Sequence, residues 1–557
     1  MAKALTGHLV TERSRPSDDF RVEWLFAAAA FGLFAVLAYT QNVNWDEFYF
    51  LSRVHAFLDG RLDRPLQTFF VHGFTWLDKV PGHEMTQIFA ARLVMIGFLA
   101  VTCFSIHRIA REFTNRRSAG IAVLAFLTSA YVLPHGTSFR ADPIATAFLT
   151  SSIAIILTTR MAGFQIILVA ALSALALLVT IKSVLYLPAF FAALLWRIED
   201  RGVALRVVGT GLLSAGLSLL LYQWHSSTMA IAEGMDTATN AKSALSTTIL
   251  KSGLFPRSLE LLNWILFSLA QVALAIWGLT AKRGRKCIIV LLLFATPFLS
   301  VVFYRNAYPY FFPFATPLLM IAVAVGVQRI TRPKVLYRLL AVMVISAGAQ
   351  LCLYLPKGTQ TQRATIAEVH RLFDQPVPYI DHSNMMASFP KAGFFMSSWG
   401  ITRYRSAMQP VFADIIERVR PPLLIASKGA LVRTMESPVS IAGTLVLLPE
   451  DQEVLRRSYV HYAGAIWLAG QETTLTDDVV ALTVPFPGRY RVETEHPVKV
   501  NNRVVSNGIV LDVDAAPLEL TGKPGTAVRL IWDTGIAPIA PHSLGRDIYV
   551  GFPMVSL

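Results

Sequence analysis

The feature that most constrains this chain is a succession of apolar runs, most of them long enough to match the thickness of a bilayer's hydrocarbon core. A helix needs roughly 17–25 apolar residues to cross that core. Eleven runs of this kind are read along the sequence, at about 24–41, 85–106, 118–133, 143–159, 163–181, 183–196, 205–223, 259–280, 287–303, 310–328 and 336–355. The fifth and sixth share 163–196 as two short spans turning at Lys182-Ser183; one long helix plus a re-entrant piece is the alternative. Composition agrees: of 557 residues 54% are hydrophobic and 15% charged, and the mean hydropathy is +0.50. Lipid must solvate much of such a chain. The first run ends in Gln41-Asn42 with no small-residue cleavage site, so a retained span preceded by a tail over 1–23 is expected.

Charge sets the orientation. The net charge of +14 suggests nucleic acid at first sight, but the basic residues sit in short clusters between apolar runs, the distribution of the positive-inside rule. No nucleic-acid partner is expected. With the N-terminus cytoplasmic, inside loops carry Arg108, Arg111, Arg116 and Arg117; Arg160; Arg197, Arg201 and Arg206; Lys282, Arg283, Arg285 and Lys286; and Arg329, Arg332, Lys334 and Arg338. The outside turns carry Arg140, Lys182 and Arg305, and the 225–258 loop adds Lys242, Lys251 and Arg257. An odd number of spans then leaves the C-terminus outside. Cys103, Cys287 and Cys352 lie in or beside apolar runs without metal-ligand spacing, so neither a disulfide framework nor a zinc site is expected.

Two outside regions are large enough to fold. The first, 42–84, contains an amphipathic stretch from Phe48 to Leu58 suited to a helix lying on the membrane surface. The second, 356–557, returns to the polarity of a soluble domain. Its first half mixes helical stretches (Val411–Val419) with short strands (Leu423–Ala426, Leu445–Leu448). Its second half alternates with period two between Pro487-Gly488, Asn501-Asn502 and Asn507-Gly508, which predicts an antiparallel β-sandwich. The fold class is therefore a mainly α polytopic membrane protein over 24–355 with an outer α/β plus β-sandwich-like domain over 356–557.

Four motifs bear chemistry: Asn44-Trp45-Asp46-Glu47 after the first span, Arg140-Ala141-Asp142-Pro143, Thr180-Ile181-Lys182, and Tyr304-Arg305-Asn306-Ala307-Tyr308. Each alone is commonplace, since acids mark span boundaries and cations snorkel to head groups. All four, however, fall on one membrane face under an orientation fixed by other residues. Carboxylates suit a general base acting on a hydroxyl; Arg140, Lys182 and Arg305 at the lipid interface suit a leaving phosphate. The combination calls for a lipid-linked phosphate substrate. Tyr304, Tyr308 and His55 are further candidate donor or acceptor contacts. His55, His72 and His83 match no standard metal spacing and read as hydrogen-bonding side chains, though a divalent metal is left open.

A first span ending in Asp-Glu, a long first outer loop, an Arg-x-Asp-Pro turn before the fourth span, a Thr-x-Lys after the fifth and a C-terminal outer domain together resemble the C superfamily of membrane glycosyltransferases, GT-C. Within it the pattern is similar to the branch of protein O-mannosyltransferases and the lipid A aminoarabinose transferase, over about residues 20–355. The resemblance implies a bacterial inner-membrane enzyme that moves a sugar from a polyprenyl-phosphate donor to a glycan, lipid or protein acceptor in the periplasm. It implies Asp46 as base, Glu47 as its companion, Asp142 as a second acid, and Lys182 and Arg305 as phosphate contacts. Thr-Ile-Lys-Ser departs from the Lys-Gly or Lys-Pro of many relatives, which weakens the transfer of a role to Lys182. Two rivals are an O-antigen ligase or polymerase, expected to lack the Asp-Glu pair, and a lipid or sugar transporter, expected to carry ionisable groups near the bilayer midplane.

Overall fold

A computed structural model describes residues 20–229, 253–355, 358–436, 445–514, 516–536 and 544–553. Most of the 1–23 tail, and Lys242 and Lys251 of the 225–258 loop, lie outside them.

Four helices are long and apolar enough to cross a membrane: Glu84–Phe113, Ala141–Thr158, Arg201–Ser227 and Pro333–Tyr354. Three helix pairs reach that standard only when each is taken as one bent span: Ser258–Phe267 with Leu269–Leu279 (88°), Arg285–Phe294 with Thr296–Val302 (44°) and Pro309–Ala315 with Leu319–Gln328 (63°). Length and apolarity thus support four to seven crossings in a multi-pass membrane protein, against the eleven read from sequence. The difference has local causes. Pro297 and Pro317 stand at two of the breaks and cannot continue the helical hydrogen-bond ladder. At the third, buried Ser268 turns its hydroxyl to the Ala130 amide at 2.9 Å. The 118–133 run yields a helix of only 12 residues, Arg116–Leu127, closed before Tyr131, whose φ is +70°. The 183–196 run yields one of 11, Leu187–Arg197, because a 3-10 turn takes Ile181–Tyr186.

Small residues set the closest helix contact. A Cβ on Gly278 would fall 1.9 Å from the Ala322 carbonyl oxygen, and one on Gly326 would fall 2.2 Å from that of Leu274. The helices Leu269–Leu279 and Leu319–Gln328 therefore touch backbone to backbone, the small-residue packing used where lipid removes the hydrophobic drive for association.

In the 42–84 segment, Trp45–Leu58 forms a helix as expected, but its apolar face is buried in protein and is not free to lie on a membrane surface. Asn44 caps it: its side chain accepts the Asp46 amide at 3.0 Å while Glu47 accepts the Asn44 amide at 3.0 Å, a reciprocal capping box. The hydrophobic face of this helix (Phe48, Leu51, Val54) joins a core shared with Ile88 and Met95 and, from the C-terminal region, with Ile366, Leu372, Tyr379 and Ile466. The C-terminal domain is thus packed onto the end of the helices that carries the sequence motifs.

That domain is built on a sheet whose strands run Val510–Val513, Gly488–Thr494, Ala527–Trp532, Ile466–Thr474, Leu423–Ile425, Tyr379–Asp381 and Lys391–Ala392, with Tyr459–Ala463 also on Ile466–Thr474. Pairing is parallel on both sides of Tyr379–Asp381 and antiparallel from Ile466–Thr474 onward. A second sheet, Val480–Leu482, Leu518–Thr521, Val498–Val500 and Arg503–Val505, shares one core with it through Leu482, Val498, Leu520, Val492 and Val528. The sandwich expected from period-two alternation is present. The strand expected at Leu445–Leu448 is absent: the Leu448 amide donates to the Tyr404 hydroxyl at 3.0 Å, and Pro449 opens a helix.

Candidate active site

Asp46 and Glu47 are neighbours in sequence with opposite environments. Consecutive helical residues point about 100° apart, and these two carboxylates meet different surroundings. Asp46 faces a cavity, its carboxylate bonded by Arg140. Glu47, 1% exposed, turns inward and accepts Arg92 at 2.8 and 2.6 Å, the Phe139 amide at 2.8 Å and the Asn44 amide at 3.0 Å. Burial alone would raise the Glu47 carboxyl, but Arg92 and these amides hold it below the usual value. Glu47 is therefore a tie between the helix Trp45–Leu58, the helix Glu84–Phe113 and the Phe139-Arg140 turn.

Arg140 precedes the helix Ala141–Thr158 in extended conformation, which puts Asp142 in the first turn, where a carboxylate is favoured. The Arg140 guanidinium bonds Asp46, stands 3.6 Å from Asp142 and lies 3.5 Å over the Tyr310 ring. Asp142 also takes the Lys182 ammonium. The 3-10 turn after Thr180 delivers Lys182 to this point, with the Thr180 hydroxyl accepting the Lys182 amide at 3.4 Å. Asp46, Arg140, Asp142 and Lys182 thus form one alternating chain of charge.

Asp46, Arg140, Tyr308 and Tyr310 line a cavity of about 550 Å³ whose other wall is the C-terminal domain: His382, the Phe395–Trp399 segment, Lys428, Arg433 and Phe552. The Lys428 ammonium lies 2.8 Å from the centroid of the Trp45 ring. Sequence reasoning missed this wall. His382 and Lys428 follow the carboxyl ends of the adjacent parallel strands Tyr379–Asp381 and Leu423–Ile425, the place where open α/β sheets bind ligands. Buried Asp381 fixes both loops by accepting the Ser427 hydroxyl and His382 amide at 2.6 Å and the Met385 amide at 2.7 Å. Gly429, with φ +57°, lets the second loop pass His382, whose ring a Cβ there would meet at 3.4 Å. Short apolar strands running into Asp-His-Ser and Ser-Lys-Gly are the signal in the sequence.

Other expected contacts lie elsewhere. His55 is buried behind the site, bonded to Gln87 at 2.9 Å. Tyr304 is buried against Phe311, ring centroids 4.7 Å apart, and does not line the cavity. Nor does Arg305, whose carbonyl accepts from Arg257; it is the Arg257 guanidinium that lies over the Tyr308 ring at 3.9 Å. Tyr308 does reach the cavity and stands 3.3 Å from the Ser398 hydroxyl.

The donor set does not suit a divalent cation. Asp46 and Asp142 are already neutralised by Arg140 and Lys182, and among the described residues no three His, Cys, Asp or Glu side chains converge. The histidines of the 42–84 segment separate: His72 bonds His225 at 2.8 Å, and His83 stacks on His370 at 4.3 Å. Chelator treatment is accordingly expected to change activity less than about twofold; a larger loss restored by added Mg²⁺ or Mn²⁺ would contradict this.

Burial holds Lys428 at about 7 and Lys391, a neighbour of this wall, also at about 7; burial with Lys428 and Lys391 pushes His382 down to about 3. Between about pH 7 and the ordinary lysine value of about 10.4, the unfolded chain therefore binds more protons than the folded one. Stability attributable to these lysines rises with pH over that window. The difference in melting temperature between the wild type and a Lys391→Met/Lys428→Met protein checks it; a difference unchanged from pH 7 to 9.5 contradicts it.

The fold is that of the GT-C membrane glycosyltransferases. Apo ArnT from Cupriavidus metallidurans aligns with a TM-score of 0.51 at 13% identity over 73% of this chain and 93% of its own. ArnT bound to undecaprenyl phosphate aligns at 0.45 and 16% identity (64% and 70% covered), and the apo oligosaccharyltransferase of Archaeoglobus fulgidus at 0.48 and 12% (73% and 69%). No protein-family model and no curated protein sequence matches the chain.

Proposed function

We propose that the chain is a polyprenyl-phosphate-sugar-dependent glycosyltransferase, moving a hexosyl or pentosyl group to an acceptor hydroxyl of a glycan, lipid or protein on the periplasmic face of a bacterial inner membrane. The observation that carries this reading is Asp46, a carboxylate facing the cavity between the helices and the C-terminal domain and linked through Arg140 and Asp142 to Lys182. In the proposed step Asp46 takes the acceptor's hydroxyl proton and the oxygen attacks the anomeric carbon from the face opposite the phosphate. The bond from that carbon to the phosphate oxygen breaks, its electrons leave with the lipid phosphate, and the configuration inverts. Arg140 and Lys182 stabilise the departing charge. An apolar groove of about 370 Å³ between the helices Ala141–Thr158, Gly163–Val179, Leu187–Arg197 and Arg201–Ser227 begins at Ser183, beside Lys182, and suits the donor's hydrocarbon tail. That GT-C fold is shared with ArnT, one structure of which holds undecaprenyl phosphate, supports the same donor class. The proposal retains a cytoplasmic N-terminus and a periplasmic C-terminus.

Phosphate contact is tested at two cations. Lys182→Ala is expected to lower turnover of an undecaprenyl-phosphate sugar by about tenfold or more, the loss of a charge-assisted contact. Arg305→Ala serves as the comparison: a loss as large there would put Arg305 at the phosphate, while unchanged turnover in the Lys182 variant would remove Lys182 from it.

A further inference from the structure

A second cavity, of about 640 Å³, adjoins the first and shares Tyr49, Phe395, Ser397 and Trp399 with it. The Tyr49 and Phe395 rings, stacked at 4.6 Å, form the partition. Its ionisable lining is five basic side chains, Arg53, Arg61, Arg64, Lys391 and Arg403, against one acid, Asp63. Among the described residues Arg61 pairs with Asp59; Arg53, Arg64 and Arg403 form no salt bridge, and Lys391 feels Asp381 only at a distance. The Arg53 guanidinium lies 4.5 Å over the Tyr49 ring, and its buried Nε has no hydrogen-bond partner. The Lys391 ammonium is held by neutral oxygens only, the His382 carbonyl at 3.2 Å and the Asn384 side chain at 3.4 Å. Five basic side chains against one acid favour an anion in this cavity, and guanidinium groups offer it planar forks of N–H donors.

The geometry points to an anion-binding subsite for the acceptor, a saccharide or glycolipid bearing a phosphate or carboxylate group. This rests on the transferase reading. Asp46, Tyr49 and Arg53 stand at i, i+3 and i+7 on one face of the helix Trp45–Leu58. Arg53 is thus about 10 Å along the axis from the base, seven residues at about 1.5 Å each. The acceptor's negative group is accordingly placed about one to two sugar units from the hydroxyl that is glycosylated, while the donor phosphate is served separately by Lys182 and Arg140.

The test uses the full chain in nanodiscs of phosphatidylcholine, with titrations of inorganic pyrophosphate, trigalacturonate and, as the uncharged control, maltotriose. The subsite requires that pyrophosphate or trigalacturonate bind and maltotriose not, and which of the two binds tells phosphate from carboxylate. Arg53→Gln/Lys391→Gln should weaken that binding by at least about tenfold, the equivalent of one charge-assisted contact. Should that variant melt early, Arg64→Gln/Arg403→Gln, at the exposed rim, should weaken it in the same direction. Undecaprenyl phosphate binding, read in parallel, should stay unchanged in both. Anion binding that survives both pairs of substitutions, or that is lost instead with Lys182→Gln, overturns the subsite. Absence of undecaprenyl phosphate binding with the anion site intact overturns the donor reading and leaves the cavity's anion preference standing.

Discussion

The Asp46→Asn protein is expected to transfer sugar about 10²–10⁴-fold more slowly than the wild type, the usual contribution of a general base. The amide has nearly the outline of the carboxylate, and its oxygen still accepts from Arg140, which also keeps Asp142 at 3.6 Å. Folding should therefore survive, and a melting temperature within a few degrees of the wild type would confirm it. An amide cannot take a proton at neutral pH, so the loss should fall on kcat, with binding of undecaprenyl phosphate little changed. Transfer at close to the wild-type rate in a well-folded Asp46→Asn protein would remove Asp46 from the chemistry.

Glu47→Gln should fail in a different way. The Glu47–Arg92 pair is buried on both sides, at 1% and 5% side-chain exposure. Removing one charge of such a pair leaves the other uncompensated and typically costs about 3–5 kcal/mol. Arg92 keeps its bonds to the Ala38, Gln41 and Asn42 carbonyls, so the helix Glu84–Phe113 should remain while the turn at Phe139-Arg140 loosens. The expected result is a lower melting temperature and poor yield, with activity lost in proportion to folded protein. A Glu47→Gln protein of wild-type stability and no activity would return Glu47 to the chemistry.

The contrast between these two carboxylates shows what the sequence makes legible. That Asp46, Arg140, Asp142 and Lys182 share a face follows from charge and span boundaries, and the structure joins them into one chain of ion pairs. The place of Glu47 was readable too, in the Asn-x-x-Glu spacing of a capping box, but adjacency of two acids suggested a shared task, whereas the fold turns Glu47 inward onto Arg92 and the Phe139 amide. Arg305 and Arg257 are cations 48 residues apart in contact with each other; sequence favoured the one in an aromatic motif, and the fold stacks the other on Tyr308. Hydropathy measures apolar length and is blind to where a helix stops: the 118–133 and 183–196 runs hold helices of only 12 and 11 residues, and the breaks at Ser268, Pro297 and Pro317 bend three further runs. Lys428 and His382 escaped because their meaning depends on a parallel strand pair and on contact with Trp45, more than 330 residues earlier in the chain. No local pattern carries that.

The central claim is that sugar leaves a lipid phosphate at Asp46, and following the label of an undecaprenyl-phosphate [¹⁴C]sugar in proteoliposomes tests it most directly. With membrane glycans as acceptor and no nucleotide sugar present, the label is expected to pass from the lipid to the acceptor and leave free undecaprenyl phosphate, with wild-type protein and not with Asp46→Asn. Label that stays on the lipid, or crosses the bilayer still attached to it, would contradict the account and favour a transporter.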